Sequence, residues 1–286
     1  MNFGDIDAKY SSFEDSRFVI IPVPYDLTST YQAGSRRGPE AIITASGNLE
    51  LYDEELLKET FLSGIHTMAP LAVDARGPEE MLATIYEEVA EIISHEKIPV
   101  LLGGEHTLSV GSVRALAGKH PSITVLQLDA HADMRDSYQN TPFSHAAVGR
   151  RIFEICPLVQ AGIRSMSKEE AVFIKDNNIR ILSPEEIEDN PDWIEEIVDG
   201  LSDDVYVSID LDVLDPSIMP ATGTPEPGGI RWRDLLRLIK KVSDNCTIRG
   251  FDVVELCPIP GMVAPDFTAA KLIYRVMGYI DSRNNQ

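Results

Sequence analysis

Three short segments carry an unusual density of metal-capable side chains: Gly103-Gly104-Glu105-His106-Thr107, Asp129-Ala130-His131-Ala132-Asp133 and Asp210-Leu211-Asp212. A lone histidine such as His106 is more often a structural residue than a ligand. The second segment is harder to dismiss. On an extended chain every second side chain points the same way, so Asp129, His131 and Asp133 are expected to converge. Carboxylates and an imidazole that close together repel or change protonation unless a cation joins them; the bland alternative is a capping and turn cluster. Asp210 and Asp212 share a face inside the apolar-flanked Ser-Ile-Asp-Leu-Asp-Val-Leu-Asp-Pro, where unpaired buried carboxylates would be costly. Asp215-Pro216 reads as the start of a turn, with Asp215 available to support a ligand from behind. Together the segments offer two imidazoles and four carboxylates, too many donors for a single zinc and suited to two metals that share carboxylates. Oxygen-rich ligation with some imidazole favours Mn²⁺, with Zn²⁺, Co²⁺ and Fe²⁺ also compatible. The chemistry of such a pair is hydrolytic, because two metals lower the pKa of water and hold the nucleophile in place.

Each segment directly follows a compact apolar run, and such runs recur along the chain at 17–23, 98–102, 123–128, 158–163, 179–182, 205–209 and 248–253. Continuous apolar runs of this length are expected of strands buried on both faces. Helical patterns lie between most of them. Met81, Leu82, Ile85, Val89, Ile92 and Ile93 share one face of a helix predicted over 78–94. Residues 184–200 read as two short helices broken at Pro191, and 265–279 as a closing helix. The alternation predicts an α/β fold with a parallel sheet covered by helices. Ligand sites in such folds sit beyond the carboxyl ends of the strands, where the three segments fall. No repeat, low-complexity tract or linker interrupts the 286 residues, which read as one domain, 1–286.

Composition narrows the function classes. With 25 basic and 46 acidic residues the formal net charge is −21, a surface that repels nucleic acid and anionic lipid and attracts a small cation. No stretch is apolar for long enough to span a bilayer, and the polar, acidic start lacks the pattern of a signal peptide. Three scattered cysteines, Cys156, Cys246 and Cys257, fit a reducing cytosol better than a disulfide framework, so a cytoplasmic location is expected.

The motifs GGEHT, DAHAD and SIDLDVLDP, in this order and spacing, resemble the three metal-binding signatures of the arginase/agmatinase (ureohydrolase) family. The resemblance extends to Pro220–Gly229 (PATGTPEPGG), to Ala33–Ile42 (AGSRRGPEAI) and to Phe251–Glu255 (FDVVE), and so covers nearly the whole chain. It implies a three-layer αβα sandwich around a mostly parallel eight-stranded sheet, two Mn²⁺ per chain and a trimeric or hexameric homo-oligomer. It implies His106, Asp129, His131, Asp133, Asp210 and Asp212 as metal ligands, and His145, Glu255 and Asp133 as catalytic groups. A guanidinium is planar, delocalised and resistant to attack. Glu255 is the candidate to orient it through paired charge-assisted hydrogen bonds. His145, in Pro142-Phe143-Ser144-His145-Ala146, falls where the family carries its proton-shuttle histidine, a role worth roughly two to four orders of magnitude in rate. Thr224 is assigned by the resemblance alone to orient Glu255 or the leaving nitrogen. His66, His95 and His120 read as structural or solvated.

The expected substrate is a small cationic guanidino compound. The loop 134–144 departs from the arginase pattern and resembles agmatinase loops, which points to agmatine, hydrolysed to putrescine and urea. Asp136 or Tyr138 is expected to receive its distal ammonium. Arginine, guanidinobutyrate, aminopropylagmatine and formimino compounds are the alternatives within the family. A one-metal zinc deacetylase is disfavoured by the six-donor set, and a non-catalytic scaffold by the presence of every donor and of Glu255.

Overall fold

Runs such as Phe18-Val19-Ile20-Ile21 carry no polar stripe, so their stable place is a sheet covered on both sides. The computed structural model describes residues 2–283. Its strands are β1 (Phe18–Val23), β2 (Tyr52–Asp53), β3 (Lys58–Glu59), β4 (Ile65–Thr67), β5 (Ile98–Gly103), β6 (Thr124–Leu128), β7 (Leu158–Ala161), β8 (Arg180–Leu182), β9 (Asp204–Asp210) and β10 (Thr247–Val254). β2 and β3 form a small antiparallel pair. The other eight make one sheet in the order β4-β1-β5-β10-β9-β6-β7-β8, and every pairing in it is parallel. All their carboxyl ends therefore open on the same edge.

The helices are α1 (Gly38–Ser46), α2 (Pro78–Ser94), α3 (Ser109–Lys119), α4 (Val148–Phe153), α5 (Lys168–Asp176), α6 (Pro184–Asp189), α7 (Trp193–Asp199), α8 (Trp232–Asn245) and α9 (Ala264–Arg283). Alternate residues of β1 show how they are layered. Phe18 and Ile20 share a core with Ile42 of α1, Leu238 of α8 and Ile273 of α9. Val19, Ile21 and Val23 share the opposite core with Met81 of α2, Val113 of α3 and Ile152 of α4. The result is the three-layer αβα sandwich. In α2 the buried residues are Met81, Leu82, Ile85, Val89, Ile92 and Ile93. At roughly 1.5–3 kcal/mol per fully buried apolar side chain, this face outweighs intrinsic propensity in holding the helix. α5 and α6 begin with reciprocal capping boxes, Ser167 with Glu170 and Ser183 with Glu186, which satisfy backbone N–H groups that would otherwise lack partners. No helix among the described residues is long and apolar enough to cross a membrane.

Two departures from the sequence pattern have local causes. The run 158–163 stops being a strand at Ala161, because Gly162 adopts φ +94° and turns the chain. The edge strand β4 is Ile65-His66-Thr67, too short and too polar to register as an apolar run. It pairs in parallel with the start of β1.

Candidate metal centre and its cavity

Four strands that neighbour one another, β5, β10, β9 and β6, deliver the chemistry. β5 ends at Gly103, and the following tight exit leads His106 into a 3₁₀ turn that continues as α3. β6 ends at Leu128 and is followed by 129–133; β9 ends on Asp210, with Asp212 in the next turn; β10 is followed directly by Glu255. The six expected donors come together, although the extended-chain route expected for them is not the one taken. Asp133 has φ +52°, and Asp210 caps the turn 211–213 by accepting the Asp212 N–H at 2.9 Å. The carboxylates converge because the chain turns sharply after each strand.

His106 Nδ1 lies 3.0 Å from Asp129 Oδ2 and 3.4 Å from Oδ2 of both Asp133 and Asp210. It is fully buried without a well-aligned hydrogen bond to any of them, and it faces the gap between the three carboxylates. His131 Nδ1 lies 2.9 Å from Asp212 Oδ2 and 3.8 Å from Asp129 Oδ1. Donor atoms of His106, Asp129 and Asp210 all fall within 4.8 Å of one another, as do those of Asp129, His131 and Asp212. Asp129 belongs to both groups and would bridge them.

Electrostatics make the same point. Burial raises the Asp129 carboxyl, and the Asp212 charge raises it further. Burial, followed by repulsion from Asp129, pushes Asp133 up to about 7, and burial with repulsion from Asp212 and Asp129 lifts Asp210 well above the carboxylate range. Burial alone would lower both imidazoles. The carboxylates around them override it, raising His106 and taking His131 to about 11. Burial also acts to raise Asp212, but its hydrogen bond to His131 holds it low. Protein groups by themselves thus leave a buried excess of negative charge that only the imidazoles can offset. Divalent cations fit that deficit, and the donors present suit them.

A layer behind the donors aims them. His106 Nε2 meets Ser208 Oγ at 2.9 Å, and Ser208 donates to Asp252 Oδ1 at 2.9 Å, whose other oxygen accepts from Tyr206 at 2.7 Å. Gln160 donates to Gln127 at 3.1 Å, and Gln127 to Asp129 Oδ2 at 2.8 Å. Arg164 spends its guanidinium on backbone carbonyls, including those of Asp212 at 2.7 Å and Glu226 at 2.8 Å, tying the ends of β7 and β9 to the loop 223–229. Asp215 does the corresponding work on the surface. It accepts from the N–H groups of Ser217, Gly228 and Gly229, so it holds the loop and supports no metal-donor side chain directly.

A cavity of about 290 Å³ opens over the donors. His106, His131, Asp133, Asp210 and Asp212 form part of its wall, with Glu255, His145, Thr224 and Tyr138 among the others. Glu255 holds φ +64° and accepts the His106 N–H at 2.8 Å. Burial, with repulsion from Glu105, pushes its carboxyl up to about 8; a cation in the cavity would favour its ionised form and oppose both effects. His145 opens the 3₁₀ turn before α4. Its imidazole is lowered to about 4 by burial, with repulsion from His131 and His106 adding to this, so it is neutral. Tyr138 is presented by a tight turn in which Gln139 and Asn140 have φ +50° and +66° and residues 138 and 141 exchange backbone hydrogen bonds. Its ring meets His145 edge-on at 5.9 Å between centroids.

Asp136 faces away from the cavity. Its side chain is 78 % exposed and faces Arg151 at 3.2 Å and Arg150 at 3.8 Å, and it does not line the cavity. The turn that brings Tyr138 inward sends Asp136 outward to the basic face of α4. His66, His95 and His120 lie away from the site. They contact the Ser11 carbonyl at 2.9 Å, Glu91 at 3.1 Å and Asp204 at 3.6 Å respectively.

Several residues of the site escaped the sequence reading. Gln127, Ser208 and Asp252 are polar groups inside strands buried on both faces, an anomaly that could have flagged them. Thr28, Arg135 and Glu170 sit in or next to loops and carry no such signal.

Known proteins share this arrangement. The family model described as "Arginase family" matches residues 16–278. The N(1)-aminopropylagmatine ureohydrolase of Synechocystis sp. is 39% identical over 277 residues, covering 94% of this chain and 90% of that protein. The agmatinase of Pyrococcus horikoshii is 32% identical over 281 residues, covering 96% and 95%. The crystal structure of the agmatine ureohydrolase of Thermoplasma volcanium superposes with a TM-score of 0.89 at 33% identity, covering 97% of this chain and 94% of that one. With the αβα sandwich and a two-cluster donor site at its strand ends, this chain is a hydrolase that belongs to the arginase family.

Proposed function

We propose that this hydrolase removes urea from a polyamine-type guanidine, with N(1)-aminopropylagmatine the leading substrate and agmatine the second. One observation carries the reaction class: a buried carboxylate, Glu255, faces the same cavity as two adjoining His/Asp clusters. The choice between substrates rests on the relatives. The aminopropylagmatine enzyme of Synechocystis is 39% identical, whereas the agmatinase of Pyrococcus is 32% identical. Agmatine, expected from the loop 134–144, therefore takes second place.

His106, Asp129, Asp133 and Asp210 would hold one divalent cation, and His131, Asp129 and Asp212 the other, with Mn²⁺ favoured by the oxygen-rich set. Such a pair supplies Lewis-acid charge that makes water nucleophilic near neutral pH. The protein's own groups do the rest. Glu255 pairs with the guanidinium N–H groups and fixes the plane of the cation. His145, neutral at rest, takes up a proton and returns it to the leaving amine. Tyr138 and Thr224 flank the path to the open end. Hydrolysis of aminopropylagmatine in this way yields spermidine and urea; agmatine yields putrescine and urea. A homotrimer or homohexamer belongs to the same reading.

The test is a panel of N(1)-aminopropylagmatine, agmatine, arginine and guanidinobutyrate, scored for urea after Mn²⁺ loading. The expected order of kcat/KM is aminopropylagmatine, then agmatine, with the other two far behind. Arginine as the best substrate would overturn the substrate assignment, and no urea from any of the four would overturn the reaction.

A further inference from the structure

The amino edge of the sheet carries another cavity, of about 210 Å³, that the proposed reaction does not use. It opens where Arg17 leads into β1, Lys97 leads into β5 and Arg249 lies on β10, three strands that neighbour one another. β5 alone runs six residues, so at roughly 3.3 Å per residue the cavity lies on the order of 20 Å from the metal centre. Among the described residues its wall holds Arg17, Lys97, Lys119, Arg249 and Arg283 against a single carboxylate, Glu96, which is 86 % exposed. On a chain of net charge −21, such a gathering of cations runs against the rest of the surface.

Part of the cluster has a structural use. Lys119 donates to the Ile93 carbonyl in the last turn of α2 and pairs with Glu96 at 3.0 Å. Lys97 donates to the carbonyls of Glu14 at 3.0 Å and Ser16 at 2.7 Å and lies over the Phe13 ring. Arg17 pairs with Asp281. Cations near helix C-termini offset the unpaired carbonyls there. Two guanidiniums are not used up in this way. Arg249 meets Asp204 through Nε at 2.6 Å, and its Nη nitrogens make no further hydrogen bond among the described residues. Arg283 reaches the Asn245 carbonyl through Nη2 at 3.4 Å, while its Nη1 is buried with no partner among the described residues. No carboxylate pairs with Arg283 or Lys97 among the described residues. A buried donor left unmet is costly, and a planar guanidinium fork matches the paired oxygens of an oxyanion. His120 registers the same field. Burial, followed by the Arg249 charge, lowers its imidazole although Asp204 lies 3.6 Å away. The geometry points to a binding site for a small multivalent oxyanion, a phosphate or a dicarboxylate, held by the forks of Arg249 and Arg283 with Lys97 and Lys119 supplying further charge. This site goes beyond the proposed reaction and does not depend on it.

The test titrates inorganic phosphate, and separately succinate, into the full chain loaded with Mn²⁺ and freed of excess metal. Calorimetry reads the binding, with chloride at matched ionic strength as the monovalent control. Phosphate, succinate or both should bind saturably and raise the melting temperature, and added salt should weaken the binding. The tighter of the two identifies the natural chemistry as phosphate or carboxylate. Arg249→Gln combined with Arg283→Gln should weaken binding about tenfold or more, and urea release without added anion should stay at the wild-type rate. Arg283→Gln alone gives up no ion pair, so it carries the comparison if the double variant folds poorly; it should weaken binding about threefold or more. No saturable binding of either anion would overturn the site. So would binding that Arg283→Gln and the double variant both keep in full, since the anion would then sit on the metals or elsewhere on the surface. Neither outcome bears on which guanidine is hydrolysed, so the two readings fail separately.

Discussion

Substitution of Gly104 by alanine tests whether the junction after β5 positions the whole site. A Cβ at Gly104 would stand 2.0 Å from the Tyr25 carbonyl oxygen, 2.8 Å from its carbon and 3.1 Å from its nitrogen. An ordinary carbon–oxygen contact needs roughly 3.3 Å, so the two backbone segments must part by about 1 Å. The opposing atoms are backbone and cannot rotate aside. Three hydrogen bonds cross this junction: Gly104 N–H to Val23 O at 3.0 Å, Glu105 N–H to Tyr25 O at 2.9 Å and Glu255 N–H to Gly104 O at 2.8 Å. Overpacking costs about 1–3 kcal/mol, and weakening these bonds adds about 1 kcal/mol or more. For a domain of this size the melting temperature should fall by about 3–7 °C. His106, Glu105 and Glu255 all hang from the same few residues. A displacement of about 1 Å is enough to cost on the order of a hundredfold in rate, and kcat/KM for urea release should drop by that much. Gly103→Ala is the control. Its Cβ meets side-chain atoms rather than backbone, Val254 Cγ1 at 2.7 Å and Leu101 Cδ2 at 3.2 Å, so it should cost less, about 1–2 kcal/mol. Melting curves and initial rates at fixed metal loading decide the matter. The reasoning fails if Gly104→Ala melts and turns over like the wild type, or if Gly103→Ala is the more damaging of the two.

Asp129→Asn should lower occupancy at both metal positions, because Asp129 belongs to both donor groups, whereas Asp212→Asn should empty mainly one; metal analysis after gel filtration reads the difference. Glu255→Gln keeps its shape and its contact with the His106 N–H, so metal content should be unchanged while kcat/KM falls about 10–100-fold through loss of a charge-assisted hydrogen bond; loss of metal in this variant would show that Glu255 holds the cations as well. Acid stability has an identifiable contributor in Asp215, held down to about 2 by the Ser217 hydroxyl and by the N–H groups of Ser217, Gly229 and Gly228, against a usual 3.8. A depressed carboxylate stabilises the fold above its ordinary value and loses that effect as it protonates. The difference in melting temperature between wild type and Asp215→Asn should therefore be full above about pH 4 and vanish as pH falls towards about 2. A difference that stays constant across that window would show that Asp215 acts through packing alone.

By itself the sequence determined the parts. Apolar runs without a polar stripe marked seven of the eight strands of the main sheet, and the 3.6-residue spacing from Met81 to Ile93 marked α2 with the ends it has in the structure. Periodicity is a local property, so it survives without tertiary information. Side-chain type likewise marked the six donors, because buried carboxylates and imidazoles at strand ends have few stable uses without a cation. The order of the strands was decided only in three dimensions. β10 lies between β5 and β9, although its sequence follows both by a long interval, and this insertion puts Glu255 beside His106. Nothing local to 247–254 encodes that neighbour, since it depends on which helices cover which face of the sheet. The same limit explains Asp136 and Thr28. One residue of the loop 134–144 turns in and another turns out because of a tight turn at Gln139 and Asn140. Thr28 acquires its contacts with Glu105 and His145 only once the ends of β1 and β5 and the turn before α4 meet. Long-range hydrogen bonds between loops have no periodicity to read, so the residues that aim the chemistry became visible only in the folded chain.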